Sequence, residues 1–316
     1  MVAGRFTDEE IKEFVSGPRF DPAVLRSKDP AYARLSVVMP SYNQDKYLER
    51  AILSVLNQNY PNLEFIVLDG GSRDRSVEII KTYAEHLSFW VSERDGGQSA
   101  AINRGFAMAT GRMIAWQNSD DIYLPRFLHR IDEVLKRYPE TDLIVANSYC
   151  CDEDDKVVHS SEYCPFSVDY LTYVGWNLTS QATFVDRALA HGVGPMREDI
   201  PVGFDWDWYI RIGRAARQPA LLADVGGCYR LQPDAKFATF PMAERDKIEL
   251  EILRRLGLDP KPELRPAQQW PWRQRWHRTL NRIEARLLYR GDALSRALRP
   301  AFLKWRAASG SVIVGF

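Results

Sequence analysis

From Leu35 to Ala146 the chain repeats one pattern: a short apolar run, a polar loop, then apolar residues at helical spacing. The runs Leu35–Met39, Leu63–Leu68, Phe89–Val91, Met113–Trp116 and Leu143–Ala146 read as buried strands. Between them, Tyr47–Leu56, Ser76–Tyr83, Gln98–Ala109 and Arg126–Tyr138 carry the helical period. Parallel strands need a crossover, and crossovers are right-handed, so this alternation leaves few topologies. The pattern predicts an α/β fold, a mostly parallel sheet flanked by helices. Past residue 150 the regularity fades. Val157–Val158 reads as a hairpin strand, Thr179–Val185 as another strand, Asp207–Ala216 as a helix, and Ala220–Leu231 as two short strands around Gly226-Gly227.

The strand Met113–Trp116 runs straight into Gln117-Asn118-Ser119-Asp120-Asp121. The carboxyl ends of strands in an open α/β sheet are where ligands sit. Two adjacent carboxylates there suit a hard divalent cation that also holds a diphosphate. They equally suit the cap of a helix starting near Pro125. Asp69, followed by Gly70-Gly71, offers either a ligand acceptor beside a close backbone approach or an ordinary turn. Neither GxGxxG nor GxxxxGK[ST] occurs, which removes dinucleotide dehydrogenases and P-loop enzymes. The four cysteines show no CxxC spacing and the five histidines are scattered, so a zinc site or disulfide framework is not expected and a reducing compartment is.

Six segments, taken in order, resemble the family 2 glycosyltransferases of GT-A fold. They are Ser36–Asn43, Asp69–Asp74, Ser92–Gly105, Asn118–Asp121, Phe204–Arg211 and Tyr229-Arg230-Leu231, spanning about residues 35–235. The resemblance implies an inverting, hexosyl-transferring enzyme. It would use a nucleoside-diphosphate sugar, by default a UDP-sugar, and a hydroxyl acceptor. It places Asp205 as catalytic base, and Asp121 with Asp120 on Mn²⁺ or Mg²⁺. Donor-binding positions would be Pro40, Tyr42, Asn43, Asp69, Gly71, Asp95, Gln98, Asn103, Asn118 and Asp120, with Gln181 and Trp206 on the acceptor side. This chain departs from the family pattern with Ser119 in the metal motif, Ala100, Phe204 and Gln232. A helix amino-terminus is the bland alternative for Asp205 and Asp207. The rival enzyme is a nucleotidyltransferase, which would carry a Gly-rich basic loop after the first strand, and Ser41-Tyr42-Asn43-Gln44 is neither. The rival outside enzymes is a membrane-associated binding protein with a degenerate site.

Three regions are expected: a lead-in at 1–33, a GT-A domain at 34–259, and a basic, Trp/Arg-rich helical tail at 260–316 opened by Pro260, Pro262 and Pro266. The net charge is zero, yet residues 261–316 hold 12 Lys and Arg against 3 Asp and Glu. Trp272, Trp276, Leu280, Ile283 and Leu287 recur at helical spacing among arginines, and Leu294, Leu298, Phe302 and Trp305 form a second stripe. Such a face suits an anionic membrane surface, or packing on a protein partner or on its own domain. No nucleic-acid-binding module accompanies the charge. With no apolar leader and no 18-residue apolar run, the expectation is a cytoplasmic protein, peripheral on the inner face of the membrane. A bacterial surface polysaccharide or a lipid-linked acceptor would match that setting.

Overall fold

The computed structural model describes residues 6–161, 168–173, 178–232, 235–258, 298, 300–302 and 312–314. Its centre is a ten-stranded sheet. The strands are β1 (Leu35–Ser41), β2 (Leu63–Asp69), β3 (Phe89–Ser92), β4 (Met113–Trp116), β5 (Ile122–Tyr123), β6 (Leu143–Cys151), β7 (Val157–Ser161), β8 (Thr183–Asp186), β9 (Pro219–Arg230) and β10 (Val312–Val314). The main path runs β10-β9-β6-β8-β4-β1-β2-β3, with β5 added to β9 and β7 to β6. β1, β2, β3 and β4 are mutually parallel, as are β6, β9 and β10, while β8 joins the two groups antiparallel. The mostly parallel α/β sheet read from the alternation is the fold observed.

Helices cover both faces. α1 (Asp8–Val15) and α2 (Pro22–Arg26) precede the sheet; α3 (Leu48–Leu56), α4 (Ser76–Tyr83) and α6 (Phe127–Arg137) bury their apolar stripes on one side with Val37, Met39 and Phe65. α5 (Gln98–Met108), α7 (Val168–Tyr173), α8 (Arg187–Val193), α9 (Phe204–Ala215) and α11 (Met242–Arg255) pack on the other with Val38, Leu68 and Trp116; α10 is Lys236–Thr239. The order β3-β2-β1-β4 makes the β1–β4 gap the point where successive crossovers change face. Open sheets bind ligands outside the strand ends at such a switch point.

Several element boundaries move. β1 passes through Pro40 to Ser41 instead of stopping before it. Pro40 lies beyond the last β1–β4 pair, Val38 with Trp116, so its missing N–H costs no bond to β4. The stretch read as a strand from Thr179 begins with a 3-10 turn at Ser180–Ala182. β9 is one strand of 12 residues, and its register against β6 slips between Ala146 and Ser148. α9 begins at Phe204, three residues before the expected start, with Gly203 as N-cap at φ 80°. β10 adds a strand within the region read as helical, parallel to Ala220–Leu222 of β9. Of the two tail stripes only Leu298 and Phe302 fall among the described residues. Trp272, Trp276 and the proline-rich linker lie outside them. No helix among the described residues is long and apolar enough to cross a membrane.

Candidate active site

The strand ends at the switch point are joined loop to loop. The Asn43 N–H donates to Ser72 Oγ at 2.8 Å, and the Arg73 N–H to Asn43 Oδ1 at 2.9 Å, which ties the loop after β1 to the loop after β2. Asn43 takes φ 50°, a left-handed geometry that asparagine tolerates. Tyr42 beside it is 58 % exposed, an aromatic face offered to solvent above the sheet. Asp69 ends β2 and is buried. Its Oδ2 accepts from the N–H groups of Gly71 and Ser72 and from Ser92 Oγ, while Oδ1 accepts only from Ser72 Oγ. One lone-pair position therefore remains open on Oδ1. Gly71, at φ 80°, passes the Arg94 backbone so closely that a Cβ would meet its nitrogen at 3.2 Å.

Beyond Asp69 lies a cavity of about 220 Å³ with Leu68, Val91 and Ala101 on its apolar side and Arg94, Asp95 and Arg104 on its polar side. Ala100 contributes a methyl group to this wall. Asp95 accepts the Gly97 N–H at 2.8 Å and shapes the turn into α5. Gln98, in the first turn of α5, reaches the loop after β4, with Nε2 donating to Asn118 Oδ1 at 3.0 Å.

That loop holds the two carboxylates. α6 begins with Arg126 in the N-cap position and no side-chain cap, so neither Asp120 nor Asp121 is consumed as one. Asp121 is buried; its Oδ1 accepts the Arg230 N–H at 2.8 Å and its Oδ2 the Asn118 amide at 3.1 Å. Burial, and then the neighbouring Asp120, push the Asp121 carboxyl well above the ordinary carboxylate range. Burial raises Asp120 as well, against the Gln232 amide that donates to its Oδ2 and the charge of Arg230. A bound divalent cation would relieve both penalties at once. Two carboxylates plus substrate phosphates is a usual donor set for Mg²⁺ or Mn²⁺, so the residues fit the cation the sequence implies. Among the described residues no group of three or more His, Cys, Asp or Glu gathers for a metal. Gln232, one of the departures from the family pattern, stands beside Asp120 as an amide donor.

Asp205 is the second residue of α9. Burial lifts its carboxyl to about 6, and the Trp206 N–H it accepts at 2.9 Å and the charge of Lys236 only partly oppose this. Tyr229, half-buried, is pushed up to about 12 by burial and then by the charges of Asp121, Asp120 and Asp205 among others. One phenol thus feels the charge of all three carboxylates, two from the β4 loop and one from the start of α9. The 3-10 turn brings Gln181 beside Asn118: Ser180 Oγ donates to Gln181 Oε1, while the buried Gln181 Nε2 has no partner among the described residues. Gln181 lies so close to β9 that a Cβ on Gly227 would meet its carbonyl oxygen at 2.2 Å, so only glycine fits there.

Some expected residues hold the frame. Asn103 Nδ2 donates to the Met196 carbonyl and its Oδ1 accepts the Met196 N–H, both at 2.8 Å, which spends the amide on the loop before α9. Trp206 buries its ring and donates Nε1–H to the Leu171 carbonyl at 2.9 Å, fixing α7 on α9. Asp207 is fully buried between Arg197 and Arg211, an ion-paired strut with no open face. Sequence reasoning missed Lys236, which belongs to no motif or periodic pattern. It also missed the roles of Tyr229 and Arg230, which were visible only as a short signature.

The sequence model of the Glycosyl transferase family 2 matches residues 36–194. A glycosyltransferase of Nostoc sp. is 38 % identical over 106 residues, covering 33 % of each chain. Glycosyltransferase GlyG of Streptococcus pneumoniae is 33 % identical over 124 residues, covering 38 % of this chain and 41 % of its own. The matches span about a third to two fifths of the length of the first of these curated relatives. Among solved structures, Staphylococcus aureus TarS in complex with UDP-GlcNAc superposes with TM-score 0.60 at 16 % identity, over 85 % of this chain and 79 % of that one. The mannosyltransferase PcManGT of Pyrobaculum calidifontis, in complex with GDP-Man and Mn²⁺, gives 0.55 at 18 % identity, over 95 % and 87 %. The fold matches theirs, and the family match spans half of the chain: it belongs to glycosyltransferase family 2.

Proposed function

We propose that the chain transfers a sugar from UDP to a hydroxyl acceptor with inversion, using Mn²⁺ or Mg²⁺ at Asp121 and Asp120. The observation that carries this reading is that Tyr229, whose neighbour Arg230 holds Asp121 through its N–H, feels the charges of Asp121, Asp120 and Asp205. The cavity at Asp69 supports a nucleoside end, with exposed Tyr42 available to stack on a base. Asp69 has one open acceptor position, enough for the single imide N–H of uracil, whereas guanine would offer a pair of donors. The complexes of TarS with UDP-GlcNAc and of PcManGT with GDP-Man and Mn²⁺ agree with a nucleotide-sugar donor and a divalent cation.

In this reading Asp205 accepts the acceptor hydroxyl proton as that oxygen bonds to the anomeric carbon. The bond to the diphosphate breaks in the same displacement. A carboxyl raised to about 6 is ionised at neutral pH yet basic enough to take that proton in the transition state. Asn118 and the Arg230 N–H fix the orientation of Asp121, and Gln98 fixes Asn118. The cation, when bound, offsets charge growing on the leaving phosphate oxygens. Gln181 Nε2, buried and unpartnered, is a donor available to the sugar or acceptor. For the basic segment 261–297 we favour an anionic membrane surface, which would bring a lipid-linked or surface-polysaccharide acceptor within reach.

A panel of UDP- and GDP-sugars scored by nucleotide release, with Mn²⁺, Mg²⁺ or EDTA, tests the reading. UDP release that EDTA abolishes is the expected result. Release unaffected by EDTA would remove the cation, and preferential GDP release would remove the uridine assignment.

A further inference from the structure

Arg230 ends β9 with its side chain wholly buried beneath the β4 loop. It touches both candidate cation ligands. Its backbone N–H donates to Asp121 Oδ1 at 2.8 Å, and its Nε–H donates to the Asp120 carbonyl at 2.7 Å. The rest of the guanidinium turns the other way, into the turn between β6 and β7. There Nη1 donates to the Asp152 carbonyl at 2.8 Å and the Glu153 carbonyl at 3.2 Å, and Nη2 donates to Asp155 Oδ1. Asp155 is itself buried, sits at φ 63°, and its second oxygen is ion-paired with Arg50 of α3. The ring of Tyr47, 4.7 Å from the guanidinium carbon, closes the stack.

The geometry points to Arg230 as the positioning residue of the cation-binding carboxylates, anchored from behind by Asp155 and Arg50; this rests on Asp120 and Asp121 holding a cation. The guanidinium is rigid and planar, so the direction of Nε–H toward Asp120 follows from where the two Nη groups are held. The peptide of Asp120 and the carboxylate of Asp121 are thereby indexed to the β6–β7 turn. Two positive side chains, Arg230 and Arg50, also stand behind Asp155 and the aspartate pair. Lysine keeps the charge but loses the fork that links the two ends.

The test is Mn²⁺ binding to the full chain in the presence of UDP, read from the electron paramagnetic resonance signal of free Mn²⁺, beside UDP affinity without metal and the melting temperature. Arg230→Lys and Asp155→Asn are expected to weaken Mn²⁺ binding by about 10- to 100-fold, the usual cost of losing an outer-layer partner. UDP affinity without metal should stay within about twofold. Glu78→Gln on α4, which removes an exposed pair with Arg75, serves as the unchanged control. If Arg230→Lys does not fold, Asp155→Asn decides alone. Wild-type Mn²⁺ affinity in the folded variants would overturn the proposal, even where the melting temperature falls, because it would leave only an architectural role. Absence of Mn²⁺ binding by the wild-type chain would instead overturn the cation reading itself, and this inference with it.

Discussion

The loops around Asp69 and Asp121 differ from the start of α9 in how their carboxylates are served. Asp69 receives four donors, and Asp121 two from fixed partners. Asp205 is served only from its own turn, by the N–H of Trp206 and its own backbone, and by the charge of Lys236. Hydrogen bonds to a carboxylate favour its ionised form, and burial without them disfavours it. One side of the cleft is thus organised before a ligand arrives. The other keeps a carboxyl with proton affinity to spare, which is what a base for an alcohol needs.

Removing that spare capacity should have the largest effect. Asp205→Asn is expected to lower kcat by about 10²- to 10⁴-fold while UDP affinity is unchanged. Unaltered turnover would show that the contrast between the two sides has no catalytic meaning. Reversing the polarity on the organised side comes next. Asp69→Asn turns an NH₂ group toward N–H donors that need an acceptor, so UDP affinity should fall by about 10- to 100-fold and the melting temperature with it. Calorimetric titration of UDP measures the first, and retained affinity would remove Asp69 from the nucleoside site.

The pH profile sharpens the same contrast. With Asp205 titrating at about 6, kcat/KM should fall tenfold per pH unit below that point and be flat above it until another group intervenes. The folded-state value lies above the unfolded one. The folded state therefore holds that proton more tightly, and this group's contribution to stability declines as pH rises from about 4 through about 6. Asp205→Asn should consequently melt no lower than the wild-type chain at pH 8, and a clear loss there would mean that the carboxylate is structurally needed. The smallest effect is expected at Trp206→Phe, which leaves the Leu171 carbonyl without its donor. It should cost about 1–2 kcal/mol by calorimetry with kcat unchanged. A selective loss of kcat would return Trp206 to the acceptor side.

The parallel half of the sheet was legible because its strands are mostly apolar and its loops short. The period of Leu48–Leu56 and the run Leu63–Leu68 fixed their elements almost to the residue. Candidate residues there were found as clusters at strand ends, which is a local signal. Beyond Ala146 the signal weakened for identifiable reasons, although the strand at Val157–Val158 and the helix through Asp207 were read. β6 continues through Asn147 and Ser148, polar residues buried against β9 and unreadable as strand from hydropathy. The buried ion pairs of Asp155 and Asp207 unite residues distant in sequence or hidden within a helix, and no spacing announces them. Asn103 and Trp206 looked functional because they stand in segments that resemble the family's motifs, yet their polar groups are taken up by neighbouring backbone.

The slip in β9 has a consequence for how such a chain can change over evolutionary time. Between the pairs Ala146 with Leu222 and Ser148 with Gly227, β6 advances two residues and β9 five. Side chains alternate along a strand, so deleting a single residue from that excess would invert the facing of everything after it. Arg230 would then swing out from under the aspartate pair while the apolar layers upstream stayed as they are. Length at 223–226 works as a phase setting between scaffold and chemistry, and Gly226, where a Cβ would meet the Phe127 ring at 2.6 Å, ties composition there as well as length.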